Sequence, residues 1–205
     1  WKWWLGSFLV VFLLSGLMDW FYLSRNPMHV WTFDADRFWV FLPIALVFFP
    51  FQTLFEEFLY RGFLMRWSFS LTKSGLAALV LSAGFFSLMH MGNKEVEAYG
   101  TGSMFFYYAW QGGMLALLVM LSNGLEAAWG YHLANNLYGS LIISVPDASL
   151  PVPSLWQSTP PEGSVFLFYS ALSTLIIVLS LVLLFRWRDW NRLFPEKHLF
   201  AKDKE

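Results

Sequence analysis

From Val165 to Phe185 the chain runs without one charged residue. A stretch of about 20 apolar residues spans the hydrocarbon layer of a bilayer as a helix, because inside lipid each backbone N–H and C=O must be satisfied within the segment. Five more apolar stretches recur along the 205 residues: Trp3 to Leu23, Phe38 to Met65, Gly75 to Met89, Met104 to Leu121 and Leu125 to Val145. Together they predict an all-α polytopic membrane helix bundle, a single domain over residues 1–205 with about six transmembrane helices. Charged residues make up 13% of the chain, against about 25% in a soluble domain. Trp3, Trp4, Trp20, Trp39, Trp187 and Trp190 stand near the ends of these runs, as an interfacial belt requires. The first residue is Trp rather than Met, which leaves room for spans upstream.

The remaining composition narrows the function classes. A net charge of −1 gives no reason to expect a nucleic-acid partner, and the absence of cysteine excludes a disulfide framework, a thiolate metal site and a cysteine nucleophile. Asn26-Pro27 marks a turn in the loop from Ser24 to Arg37; Met91 to Ser103 is Gly-rich and charged; Pro146 to Ser164 holds five prolines and no lysine or arginine. The C-terminal tail, 186–205, is basic, carrying Arg186, Arg188, Arg192, Lys197, Lys202 and Lys204. The bias of basic residues toward the cytoplasm then places the C-terminus inside.

Against this apolar background, polar residues on three of the runs stand out. Glu56, Glu57 and Arg61 interrupt the second, and an ionisable group at membrane depth costs about 2.5–3.5 kcal/mol on insertion scales, so it marks a working site by default. Glu57 and Arg61 are spaced i, i+4 with the acid N-terminal, the favourable order for a helical ion pair, whereas Glu56 is turned about 100° away with Tyr60 at its own i+4 position. Phe86 and His90 share a face of the third run, and His132 and Asn136 share a face of the fifth. Such groups on three separate spans are costly in lipid unless they converge on one wet cavity. Gly62, Ala83, Gly84, Gly130 and Ala134 are the small residues expected to let those helices approach. The first, fourth and sixth runs read as structural. Pro43 and Pro50 predict a bend ahead of Glu56.

A carboxylate beside histidines can take a proton from water, and a histidine with a carboxamide can donate to a developing oxyanion. That is the chemistry of amide or ester hydrolysis. A zinc site from Glu56, His90 and His132 is the competing arrangement, although no H-E-x-x-H helix is present. A third reading is a non-proteolytic immunity or scaffold protein whose polar residues only lock helix packing.

Read as text, Glu56-Glu57-x-x-x-Arg61, Phe86-x-x-x-His90 and His132-x-x-x-Asn136, in this order on successive membrane segments, resemble the CPBP family of intramembrane endopeptidases, also called the CAAX-protease or Abi family. The resemblance covers a core of about residues 38–145. It implies that Glu56 is the general base, with His90 helping to hold the water, His132 and Asn136 forming the oxyanion site, and Glu57 with Arg61 orienting the motif. Phe86 and Tyr60 would wall the substrate pocket. Zinc would be possible but not required, though the family was first called metalloprotease. It further implies a protein or peptide substrate at the lipid bilayer, of CAAX or bacteriocin-leader type, and a bacterial cytoplasmic membrane location. Measured from the ends of the runs at 1.5 Å per residue, Glu56 and His132 lie about 12–15 Å deep and His90 about 25 Å from Lys73. The three pairs are thus expected at unequal depths unless the third run begins deeper in the bundle.

Overall fold

The computed structural model describes residues 1–23, 29–146, 148–159, 163–188 and 190–193. Asn26-Pro27, Lys197, Lys202 and Lys204 lie outside the described residues. Eight α-helices are assigned among those described: α1 (Lys2–Leu23), α2 (Ala35–Glu57), α3 (Met65–Thr72), α4 (Gly75–Met89), α5 (Lys94–Tyr99), α6 (Thr101–Ser122), α7 (Glu126–Leu141) and α8 (Gly163–Phe185). The all-α bundle expected from the apolar runs is what forms, and each of the six runs contains a long helix.

The six runs differ in the length of helix they form. Among the described residues, four helical segments are long and apolar enough to cross a membrane: Lys2–Phe21, Ala35–Thr72, Thr101–Ser122 and Ser164–Phe185. Helix α4 has only 15 residues, and α7 stops at Leu141 instead of reaching Val145. Beyond α7 the chain becomes extended at Ile143–Ser144, where the β-branched Ile142-Ile143 pair favours a strand over another helical turn. This strand, β2, joins β1 (His29–Trp31) and β3 (Trp156–Ser158) in a small sheet of order β1-β3-β2, with β3 antiparallel to β1 and parallel to β2. Neither the sheet nor α5 is expected from the apolar pattern.

Helix α2 opens on Asp34, whose carboxylate caps the Arg37 N–H at 3.3 Å. It runs through Pro43 and Pro50 without losing helical character. The Pro50 carbonyl receives the Trp129 indole N–H at 3.2 Å, and Thr53 returns its hydroxyl to the Phe49 carbonyl at 2.7 Å. At Phe58 the helix widens to π-helical i→i+5 bonding, which lasts to Leu64 before α3 resumes ordinary winding. Two bonds converge on the Tyr60 carbonyl in this stretch: the Met65 N–H and the Ser82 hydroxyl of α4, the latter at 2.9 Å. A side chain inserted into the backbone ladder is an established cause of such local unwinding.

Lys73 takes the left-handed conformation (φ 56°) and Ser74 caps α4, so α3 and α4 form a tight hairpin. Helices α6 and α7 supply much of the buried core, packed by α1, α4 and α8. A Cβ on Gly130 would overlap the Trp4 carbonyl, so α1 and α7 can touch backbone to backbone only because that position is glycine. A Cβ added to Gly84 would meet nothing within 4 Å, so it is not one of the close-approach residues. On α2 the usual soluble pattern is reversed: Phe58 is 62% exposed while Glu57 beside it is fully buried, as expected where the surrounding medium is lipid.

Candidate active site

The three polar pairs meet. Glu56, Phe86, His90, His132 and Asn136 line one cavity of about 410 Å³ between α2, α4, α6 and α7. Their convergence follows from the α3–α4 hairpin. Because the helix does not stop at Met65 but continues to Thr72, Glu57 stands about 16 residues before Lys73 and His90 about 17 after it, about 24 and about 25 Å along the chain at helical rise. The unequal depths expected from the apolar boundaries therefore do not arise.

Behind the cavity lies an ion cluster. Glu57 and Arg61 have no exposed surface, and Arg61 Nη1 donates to Glu57 Oε1 at 2.8 Å. The same carboxylate oxygen faces His132 Nδ1 at 2.7 Å. Arg61 Nη2 donates to the Gly112 carbonyl at 3.2 Å, and its guanidinium lies over the Phe86 ring at 4.5 Å. Glu57 Oε2 and Arg61 Nε are buried without a hydrogen-bond partner among the described residues. This is the interhelical version of the i, i+4 pair: one carboxylate holds the arginine of its own helix and the histidine of α7.

Glu56 points the other way, into the cavity. Gln52, one turn earlier, donates its amide to Glu56 Oε1 at 3.0 Å. Glu56 Oε2 has no hydrogen-bond partner among the described residues and sits 3.8 Å from His132 Nε2, too far for a direct bond but a span that a water can bridge. His132 is thus placed between the two glutamates, with one ring nitrogen committed to Glu57 and the other facing Glu56. His90 is held between the rings of Phe86 and Tyr108, at centroid distances of 4.3 and 4.5 Å, and its Nδ1 faces the Phe86 carbonyl at 2.7 Å. A carbonyl only accepts, so Nδ1 carries the proton and, in the neutral ring, Nε2 is left as an acceptor.

Tyr60 is absent from the cavity lining. It is buried behind Phe86, ring edge to face at 5.2 Å, so it supports the pocket wall instead of forming it. The fourth and sixth runs are also more than structural. Helix α6 contributes Tyr108, Gln111 and the Gly112 carbonyl, and α8 contributes Phe166. Gln52 and Gln111, polar residues inside apolar runs, were a usable signal; a glycine carbonyl that accepts from Arg61 leaves none in the sequence. Among the described residues no group of three histidines, aspartates or glutamates is arranged to hold a metal ion.

Residues 38–138 match the family model described as Rce1-like, type II CAAX prenyl endopeptidase Rce1-like, which bears out the resemblance carried by the three motifs. The chain is also similar to the uncharacterized protein YyaK of Bacillus subtilis (strain 168), with 29% identity over 157 residues, 75% of this chain and 52% of that protein. The chain therefore spans about half the length of the curated relative it matches. No solved structure matches it.

Proposed function

We propose, from the match of residues 38–138 to the Rce1-like family of type II CAAX prenyl endopeptidases, that the chain is an integral-membrane endopeptidase in which Glu56 activates the attacking water. The observation that carries this is the division of labour between two adjacent carboxylates. Glu57 is wholly buried behind the cavity, with one oxygen shared by Arg61 and His132, while Glu56 lines the cavity with an oxygen that has no protein partner among the described residues.

In this reading a water beside Glu56 Oε2 gives its proton to the carboxylate as its oxygen attacks the scissile carbonyl carbon. Neutral His90, its Nδ1–H fixed on the Phe86 carbonyl, orients the water by accepting a hydrogen bond at Nε2. The tetrahedral oxyanion takes hydrogen bonds from the Asn136 amide and from His132 Nε2, which requires the imidazolium form because Nδ1 is bound to Glu57. An imidazolium at His132 also balances the two carboxylates against Arg61, leaving the four-group cluster formally neutral. Collapse of the intermediate breaks the C–N bond, and the proton held by Glu56 passes to the departing amine. Asn136 and His132 stand within α7 and His90 directly follows the last residue of α4, positions held more rigidly than a loop would hold them.

Turnover by purified wild-type and Glu56→Gln protein of a membrane-associated peptide substrate tests this. The amide retains the size and much of the hydrogen bonding of the carboxylate but not its basicity, so kcat should fall by about 10²–10⁴-fold with the fold intact. Wild-type turnover by Glu56→Gln would end the reading. Activity abolished by a strong zinc chelator and restored by zinc would instead favour a metal-dependent reaction.

A further inference from the structure

The cavity extends beyond the reacting groups to a second carboxylate. Glu95, in the first turn of α5, lines it, as do Tyr99 one turn further along the same helix and Tyr107 of α6. Ser149, from the loop after β2, accepts the Lys94 backbone N–H at 2.8 Å and donates its hydroxyl to Glu95 Oε2. Neighbouring Asn93 is tied to the Tyr108 hydroxyl at 2.9 Å. The carboxylate is therefore held through one oxygen by Ser149, on a helix turn anchored to α6 through Asn93.

Charge and shape around it agree. Among the described residues lining the cavity there is no lysine or arginine; Arg61 is buried behind it and committed to Glu57 and Gly112. Beside Glu95, Phe166 stacks with Tyr99 at 5.5 Å and lies 5.2 Å from Tyr107, giving an aromatic wall. A carboxylate next to aromatic faces suits a long cationic side chain, whose stem packs on the rings while its head meets the acid.

We propose that Glu95 is a specificity-determining residue that selects peptides carrying a lysine or arginine near the scissile bond; this rests on the endopeptidase reading above. The test uses the Glu56→Gln protein in nanodiscs of neutral phosphatidylcholine, so that bound peptide is not consumed. Fluorescein-labelled, amidated apolar decapeptides carry one lysine, norleucine or glutamate, walked through successive positions, and binding is read by anisotropy. At one position lysine should bind about tenfold tighter than norleucine, with glutamate weakest, as expected for a partly buried charge pair. Adding Glu95→Gln should bring the lysine-to-norleucine ratio close to one. Adding Glu95→Lys should reverse the order in favour of glutamate, which also shows that the cavity is intact. An unchanged lysine preference in Glu95→Gln, equal binding of all three peptides at each position, or no binding at all overturns the proposal. Cleavage of the same peptides by protein with Glu56 restored is a separate readout: selective, Glu95-dependent binding without cleavage sinks the endopeptidase reading and not the recognition of the basic side chain.

Discussion

At the scale of residues, Phe86 is the surface on which the site is assembled. Its ring lies under the Arg61 guanidinium, against His90, and edge-on to Tyr60 and His132. The ionic groups it gathers respond differently to removal. Arg61→Ala leaves Glu57 as a fully buried carboxylate with His132 as its remaining partner, and should lower stability by about 3–5 kcal/mol, read by denaturant titration in detergent. The double variant Arg61→Ala/Glu57→Ala, which removes both charges, should recover part of that loss; a single variant as stable as wild type would show that the pair contributes nothing. Asn136 is half-buried and faces the cavity, so Asn136→Ala should cost little stability while lowering kcat by about 10²–10³-fold if its amide binds the oxyanion. Unchanged kcat would remove it from that role.

At the scale of elements, the π-helical turn from Phe58 to Leu64 and the contact of α4 with α6 place the arginine. A π-bulge is uncommon and is frequently found at functional sites; here it follows directly on Glu57 and contains Arg61. Across from it, a Cβ on Gly112 would stand 3.2 Å from the Ala83 Cα and from Phe86 Cδ1, whereas one on Gly113 would meet its nearest atom at 3.7 Å. Overpacking against a backbone atom is difficult to relieve. Gly112→Ala should therefore destabilise by about 1–3 kcal/mol and reduce activity by moving the Arg61 acceptor, while Gly113→Ala should change stability by less than about 0.5 kcal/mol. Equal melting temperatures for the two variants would contradict the close-approach argument. The sequence points to small residues on these helices, but not to which glycine bears the contact, because that depends on the rotation of α6 against α4.

At the scale of the whole molecule, polar faces from α2, α4 and α7 close around one cavity inside a shell of exposed aromatics, with a small sheet and the loop after it completing the wall. Orientation in the membrane follows from basic residues. Arg186, Arg188 and Arg192 follow α8 directly, and Lys197, Lys202 and Lys204 extend the tail. These predict a cytoplasmic C-terminus. A pair of topology reporters fused after Glu205, one active only in the cytoplasm and one only outside it, should report the cytoplasmic side; activity of the outside reporter alone would invert the orientation.

What the sequence determined by itself is what short-range periodicity and the cost of charge in lipid can encode: helices at the six apolar runs, the Glu57–Arg61 pairing at i, i+4, and the shared faces of Phe86 with His90 and of His132 with Asn136. The tertiary structure decided what depends on distance between elements. It continued the second helix through a π turn to Thr72, which brought His90 level with Glu57; it set His132 between the two glutamates; it moved Tyr60 behind Phe86; and it recruited the Gly112 carbonyl to the buried ion cluster and Tyr108 and Glu95 to the cavity. The physical reason is that an apolar residue is equally at ease facing lipid or a neighbouring helix, so hydrophobicity alone does not fix how a membrane helix is rotated. In this bundle rotation is set by pairwise hydrogen bonds and close glycine contacts, which become visible only when the helices are together.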